Sequence, residues 1–224
     1  VLDTSSQDPI EIAETLMDYR DRVPMLGCEN AWIAAGALMA AIKNEGSLPV
    51  RNEQITEVLA RAKKQAIGGY CGLTGVCGIV PAIGACFSVI LGAACPKDRE
   101  TAVTMKVAGE MVNSIAAETG PCCCKNFVRT ALRKAIELAR IYLKANLPVS
   151  SRQAIKCRHV ERHPHGCRKG KCAYYQEHDT GGEVDVFEKY DVFHSEVYGQ
   201  EGVLGRKTKH LIALAASLTA GCEP

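Results

Sequence analysis

Aromatic side chains are scarce in this chain: one tryptophan, four phenylalanines and seven tyrosines among 224 residues. A core with so few rings has to be built from small aliphatic groups, which lets helices approach closely. Excess charge is missing too. The formal net charge is +2, which removes the electrostatic case for nucleic acid, and no arginine-rich arm or interleaving of basic and aromatic residues replaces it. There is no P-loop, no Ser-His-Asp arrangement and no paired-carboxylate signature. Alternating apolar and polar residues are absent over 1–148, which argues against strands. The beginning, "VLDTSSQDPI", lacks a basic segment followed by an apolar one. The expected compartment is therefore the cytoplasm, where clustered thiols serve metal or redox chemistry more often than disulfide staples.

What the chain has in abundance is helical periodicity. Ile10, Ala13, Leu16 and Met17 share one face of a helix expected over 9–20. The run "AWIAAGALMAAIKN" is apolar on nearly all sides and should be buried. Ile55, Leu59 and Ala62 form a stripe over 52–66. Residues 67–96 carry no charge at all. That length suffices to span a bilayer, but its glycines and Pro81 favour a buried helix of a globular core, with Pro96 as its stop. Asp98 can cap the next helix, striped by Val103, Val107, Met111 and Ile115. A further helix over 125–144 carries Phe127, Ala131, Leu138 and Tyr142. The expected fold is all-α: a helical bundle over 1–148, an irregular Cys/His-rich segment over 149–180, and a partial helical domain over 183–224.

Twelve cysteines are the second abundance. Cys28, Cys86 and Cys95 sit in apolar surroundings and read as small core residues. The others are bunched. Cys71 and Cys77 lie in "GGYCGLTGVCG", where glycines allow backbone to approach an inorganic centre, or simply permit close packing. Cys122, Cys123 and Cys124 open a helix, where the helix dipole, Lys125 and Arg129 should favour the thiolate. Three adjacent cysteines cannot all bind one ion comfortably. Cys157, Cys167 and Cys172 surround His159, His163 and His165. Cys167 and Cys172 have the gap of a zinc knuckle, which Cys157 and one histidine would complete; an iron–sulfur cluster is the alternative. The segment has too little apolar content to fold unaided. The three groups converge on one centre or build two.

The succession "GGYCGLTGVCG", "GPCCCK" and "KCRHVERHPHGCRKGKCAYY" resembles a cysteine-rich helical family of uncharacterised function, associated with anaerobic bacteria and archaea and sometimes joined to methyltransferase-type proteins. The likeness covers about residues 20–176. It implies a shared fold and metal or thiol chemistry, with a redox or methyltransferase-type protein as partner. The family pattern has two adjacent cysteines where this chain has three, and a histidine near "MLGCENAW" where this chain has only Cys28.

The tail, "VYGQEGVLGRKTKHLIALAASLTAGCEP", is similar to the alkyl hydroperoxidase D-like and carboxymuconolactone decarboxylase family. That resemblance implies a thiol-dependent peroxidase or disulfide oxidoreductase with a CxxC pair, a following histidine and a relay glutamate. Cys222 matches the first cysteine and His210 stands at the relay position. The attacking residue would be the one after Pro224. An arbitrary gene-fragment boundary would account for the end; so, more sharply, would a UGA codon for selenocysteine read as a stop, since a selenol suits the attacking position.

The expected function is a cysteine-rich protein holding an iron–sulfur cluster or zinc, joined to an incomplete thiol redox domain. The metal candidates are Cys71, Cys77, Cys122, Cys123, Cys124, Cys157, Cys167 and Cys172. The alternatives are a non-catalytic metal scaffold, or sulfur or methyl transfer by a thiolate of Cys122–Cys124. The apolar face of Leu211, Leu214, Ala215 and Leu218 should pack on the main domain or on a second chain, or else the tail should be poorly ordered.

Overall fold

The computed structural model describes residues 1–19, 22–118, 122–176, 205 and 207–212. Among them there is no strand; the fold is all-α. Two compact units divide the chain, Val1–Gln176 and Glu177–Pro224.

The first unit is built around α2, Glu29–Glu45, which packs against α1 (Pro9–Met17), α3 (Asn52–Gln65), α5 (Ile79–Leu91) and α7 (Cys124–Leu138). Alanines and a glycine make this possible. Ala31, Ala34, Ala35, Ala37, Ala40 and Ala41 are all buried, so neighbours on several sides meet the α2 backbone closely. At Gly36 even a methyl group would lie 3.3 Å from the Val1 side chain. A short α4 (Tyr70–Thr74) leads into α5, and α6 (Asp98–Ala116) packs on α5 and α7.

The charge-free run is a core helix. α5 buries Ile79, Val80, Ile83, Cys86 and Phe87, and Pro81 falls in its first turn, where a missing N–H costs little. It ends earlier than Pro96, at Gly92 in the left-handed conformation. Among the described residues no helix is long and apolar enough to cross a membrane. Asp98 does not cap α6. Lys97 occupies that position, and Asp98 and Glu100 lie in the first turn, where the helix dipole favours acids. The stripe beyond holds, with Val107, Met111 and Ile115 buried. α7 gives way at Ala139–Leu143 to one π-helical turn, closed by Lys144 at φ 63°.

Residues 149–176 belong to the same compact unit as the helices. Polar anchors hold them, in keeping with their low apolar content. Asp8 caps α1 through the Ile10 amide at 2.8 Å, and its other oxygen accepts from the Ser150 amide and hydroxyl. Arg133 donates to the Ser150 carbonyl at 2.7 Å and to the Tyr174 hydroxyl at 3.0 Å. Tyr174 is buried, with the Arg129 guanidinium 4.9 Å from its ring centre.

Arg129 is itself buried and forms a two-pronged ion pair with Glu14 of α1, at 2.6 and 2.7 Å. This pair ties α1 to α7 beneath the cysteine-bearing segment. Removing one partner leaves a charge buried without compensation. Glu14→Ala is therefore expected to destabilise the protein by about 3 kcal/mol in urea unfolding. Glu57→Ala, which breaks the exposed pair with Arg61, should cost less than about 1 kcal/mol in the same measurement.

Candidate functional site

Five cysteines line one cavity of about 280 Å³: Cys28, Cys71, Cys77, Cys122 and Cys124. They come from three distant parts of the chain. Cys28 stands at the N-terminal end of α2, Cys71 in α4, Cys77 just before α5, and Cys122 and Cys124 at the start of α7. His165 and Asn30 complete the polar lining.

The local sequence explains how they arrive there. Gly69 and Gly75 bracket α4, both at φ 78°, a conformation that any side chain would strain. These two turns fold the loop back so that Cys71 and Cys77 face the same space. The glycines thus serve the turns first. The Cys122 thiol hydrogen-bonds Cys71, and the Gly27 amide interacts with the Cys124 sulfur.

The three consecutive cysteines divide between two places. Cys123 has extended backbone, φ −123° and ψ 103°, immediately before the helix. Successive side chains of extended backbone point to opposite sides. Cys122 and Cys124 therefore line the cavity, while Cys123 faces Cys157 and Cys172 and senses their charge. This second group lies against Arg129, whose guanidinium sits beside Cys157. The Cys172 thiol approaches the Asn126 side-chain oxygen at 3.6 Å. The three bunches of the sequence accordingly make two groups.

The other cysteines stand apart. Cys167 lines neither group; its sulfur accepts from the Lys169 amide at 3.4 Å. Cys86 is sealed in the core and donates to the Ala82 and Ala35 carbonyls. Cys95 is exposed, contrary to the expectation of a core position, because it lies beyond the end of α5. Cys28 is half-buried at the cavity and is not core filler either. Cys222 lies outside the described residues. His210 is in a helical stretch over 207–212 of the second unit and is exposed.

The histidines also separate. The Nδ1 of His163 accepts from the His165 amide at 3.2 Å, so its Nε2 carries the proton and donates to the Cys122 carbonyl at 2.9 Å. Both nitrogens are occupied, and His163 holds the segment against the cysteine run. His159 is buried beside Arg162, 3.2 Å from its guanidinium. Among the described histidines, His165 alone reaches the cavity.

The electrostatics reverse one expectation. The start of α7 does not favour thiolate. Burial pushes the Cys122 and Cys124 thiols up, and Cys77 and Cys123 to about 11. Arg129, which was to lower them, is paired with Glu14. Lys125 is buried with no hydrogen-bond partner on Nζ, and burial lowers its pKa to about 8, with Arg162 adding to the shift. A buried cation beside Cys123 and Cys124 without a counter-ion calls for negative charge nearby. Among the described residues, no three Cys, His, Asp or Glu side chains stand where they could hold one metal ion.

Sequence reasoning overlooked Cys28 and Asn30 as cavity residues and Lys125 as a buried ammonium, and it grouped His165 with Cys157, Cys167 and Cys172 when it lines the cavity instead. The only available signal was "GCENAW", a cysteine and two polar groups directly ahead of an apolar helix.

Residues 1–175 match the model of a family described as a family of unknown function, DUF5714, and the chain belongs to that family. No curated protein and no solved structure matches it.

In the reduced, metal-free protein these shifts have opposite signs. Thiols raised to about 11 stay protonated in the native state while unfolded thiols ionise, so stability should fall as pH rises from 9 toward 11. Lys125 acts the other way, its penalty being full below pH 8 and relieved by 10.5. Lys125→Met should exceed the parent by about 2–3 kcal/mol at pH 7, with the margin shrinking between pH 8 and 10.5. Urea titrations at several pH values measure both.

Proposed function

We propose that this protein binds a polynuclear iron–sulfur centre in the cavity of Cys28, Cys71, Cys77, Cys122 and Cys124, and serves as a metal-bearing redox module. The observation that carries this reading is the gathering of five thiols from three parts of the chain around one cavity of about 280 Å³. Thiolates are the ligands that soft and borderline metals prefer. Zinc would need four ligands drawn to about 2.3 Å from a single point, and no three groups are so disposed among the described residues. A sulfide-bridged centre spreads its ligands over several metal ions and suits thiols set around a larger space.

The buried Lys125 ammonium supports a negatively charged occupant. Metal binding deprotonates thiols, and the resulting thiolates would offset a cation that burial otherwise penalises. Cys71, Cys77, Cys122 and Cys124 are the proposed ligands. Burial, and after it the Glu29 carboxylate beside it, opposes ionisation of Cys28, which stands outside the proposed four. The centre would supply one-electron transfer, and the protein's part is to hold it and limit water's access.

Sulfur or methyl transfer at Cys122–Cys124 fits less well, because raised thiol pKa values work against a free nucleophile. The tail adds a second element, a thiol redox role for Cys222 with His210 as relay; it rests on the sequence likeness alone.

Anaerobic purification followed by metal analysis and absorbance tests the main reading. Iron with acid-labile sulfide and a broad visible band is expected. Cys71→Ser, Cys77→Ser and Cys122→Ser should each lose most of the iron, whereas Cys95→Ser should retain it. Colourless protein with stoichiometric zinc would replace the cluster with a structural scaffold. Metal-free protein would sink both.

A further inference from the structure

The group on the other side of the cysteine run has a different character. Cys157, Cys172 and Cys123 lie against buried Arg129, away from the cavity. No trio there can share one metal ion, but a disulfide needs only two sulfurs. Cys157 and Cys172 are the pair best prepared. The Cys157 amide donates to the Tyr174 carbonyl at 3.3 Å, which sets the two ends of the segment side by side. Tyr174 is fixed beneath Arg129 and by its hydroxyl to Arg133. Both cysteines are half-buried, so a small reagent can reach them, whereas Cys123 is buried at the helix start.

We infer that Cys157 and Cys172 form a dithiol that reduces small-molecule disulfides and closes a reversible bridge between themselves. Cys157 is the attacking sulfur, because it lies beside the Arg129 guanidinium, whereas the Cys172 thiol approaches the Asn126 side-chain oxygen at 3.6 Å. Its thiolate attacks one sulfur of the disulfide, R–S–S–R, forming a mixed disulfide and expelling the first RS⁻. The Cys172 thiolate then attacks the Cys157 sulfur, forming the Cys157–Cys172 bond and expelling the second RS⁻. Two electrons pass from the dithiol to the substrate, and the two thiol protons end on the two released thiols. The closed bridge would fix the loop that carries His163 to the Cys122 carbonyl and His165 to the cavity.

The test is to reduce the full chain, equilibrate it anaerobically in glutathione buffers of graded disulfide-to-thiol ratio, quench in acid, alkylate and map the peptides. A two-electron transition yielding a Cys157–Cys172 linked peptide is expected. Cys172→Ser should leave Cys157 as a mixed disulfide with glutathione, and Cys157→Ser should abolish both products. Cys123→Ser should leave the transition unchanged. A bridge that uses Cys123 in place of either residue, or Cys157 and Cys172 alkylated at every ratio, overturns the proposal. Helical circular dichroism of each variant confirms folding. The readout counts thiols and not metal, so it stands or falls separately from the cavity's occupant.

Discussion

Arg129 places a guanidinium inside the bundle where three parts of the chain must meet. Its two bonds to Glu14 join α7 to α1. Its flat face covers Tyr174, and the guanidinium lies beside Cys157. A guanidinium can do all three because it is planar and carries five N–H donors in a fixed fork. Beside that anchor, the Cys/His-rich segment is held by Asp8 and Arg133 at Ser150, by His163 at the Cys122 carbonyl and by a few apolar contacts, Ile155 and Tyr174 chief among them. The polar grip substitutes for the core that this segment is too hydrophilic to build.

From this anchor the division of the cysteines follows. α7 is fixed in rotation by Arg129 and by Phe127, Val128, Ala131 and Leu132, all buried. The residue before its first turn is extended, so the three thiols at its start alternate between two sides. One side opens on the glycine-bracketed loop and the end of α2. The other opens on the segment that Arg129 and Arg133 hold in place. A single tripeptide thus contributes to two sulfur groups of different chemistry. The cavity gathers thiols beside an uncompensated ammonium and suits an anionic centre. The second group offers a pair of sulfurs beside a paired guanidinium and suits two-electron exchange.

Much of the fold was legible in the residues because helices announce themselves locally. Stripes such as Val107, Met111 and Ile115 recur at helical spacing. The all-round apolar run of α2 could only be buried. Helix ends were less legible. Gly92 stops α5 before Pro96 has any effect, and Lys97 takes the capping position that Asp98 was expected to fill. Either residue type at either position is compatible with the local pattern.

The sulfur chemistry shows the opposite balance. Cysteine content, its bunching and the abundance of small residues are properties of the chain itself, and they are what raises soft-ligand chemistry as a proposal. Which sulfurs share a space is decided only in three dimensions. Cys28 joins Cys71 because α2 ends at the cavity, Cys167 falls outside both groups despite its spacing from Cys172, and Cys123 parts from its neighbours. The ionisation of the thiols was likewise beyond local reading. A helix start and two nearby cations favour thiolate, but burial acts on every thiol at that start, and Glu14 neutralises one of the cations. Desolvation depends on what surrounds a group on all sides, which is a property of the folded whole and of no single stretch of it.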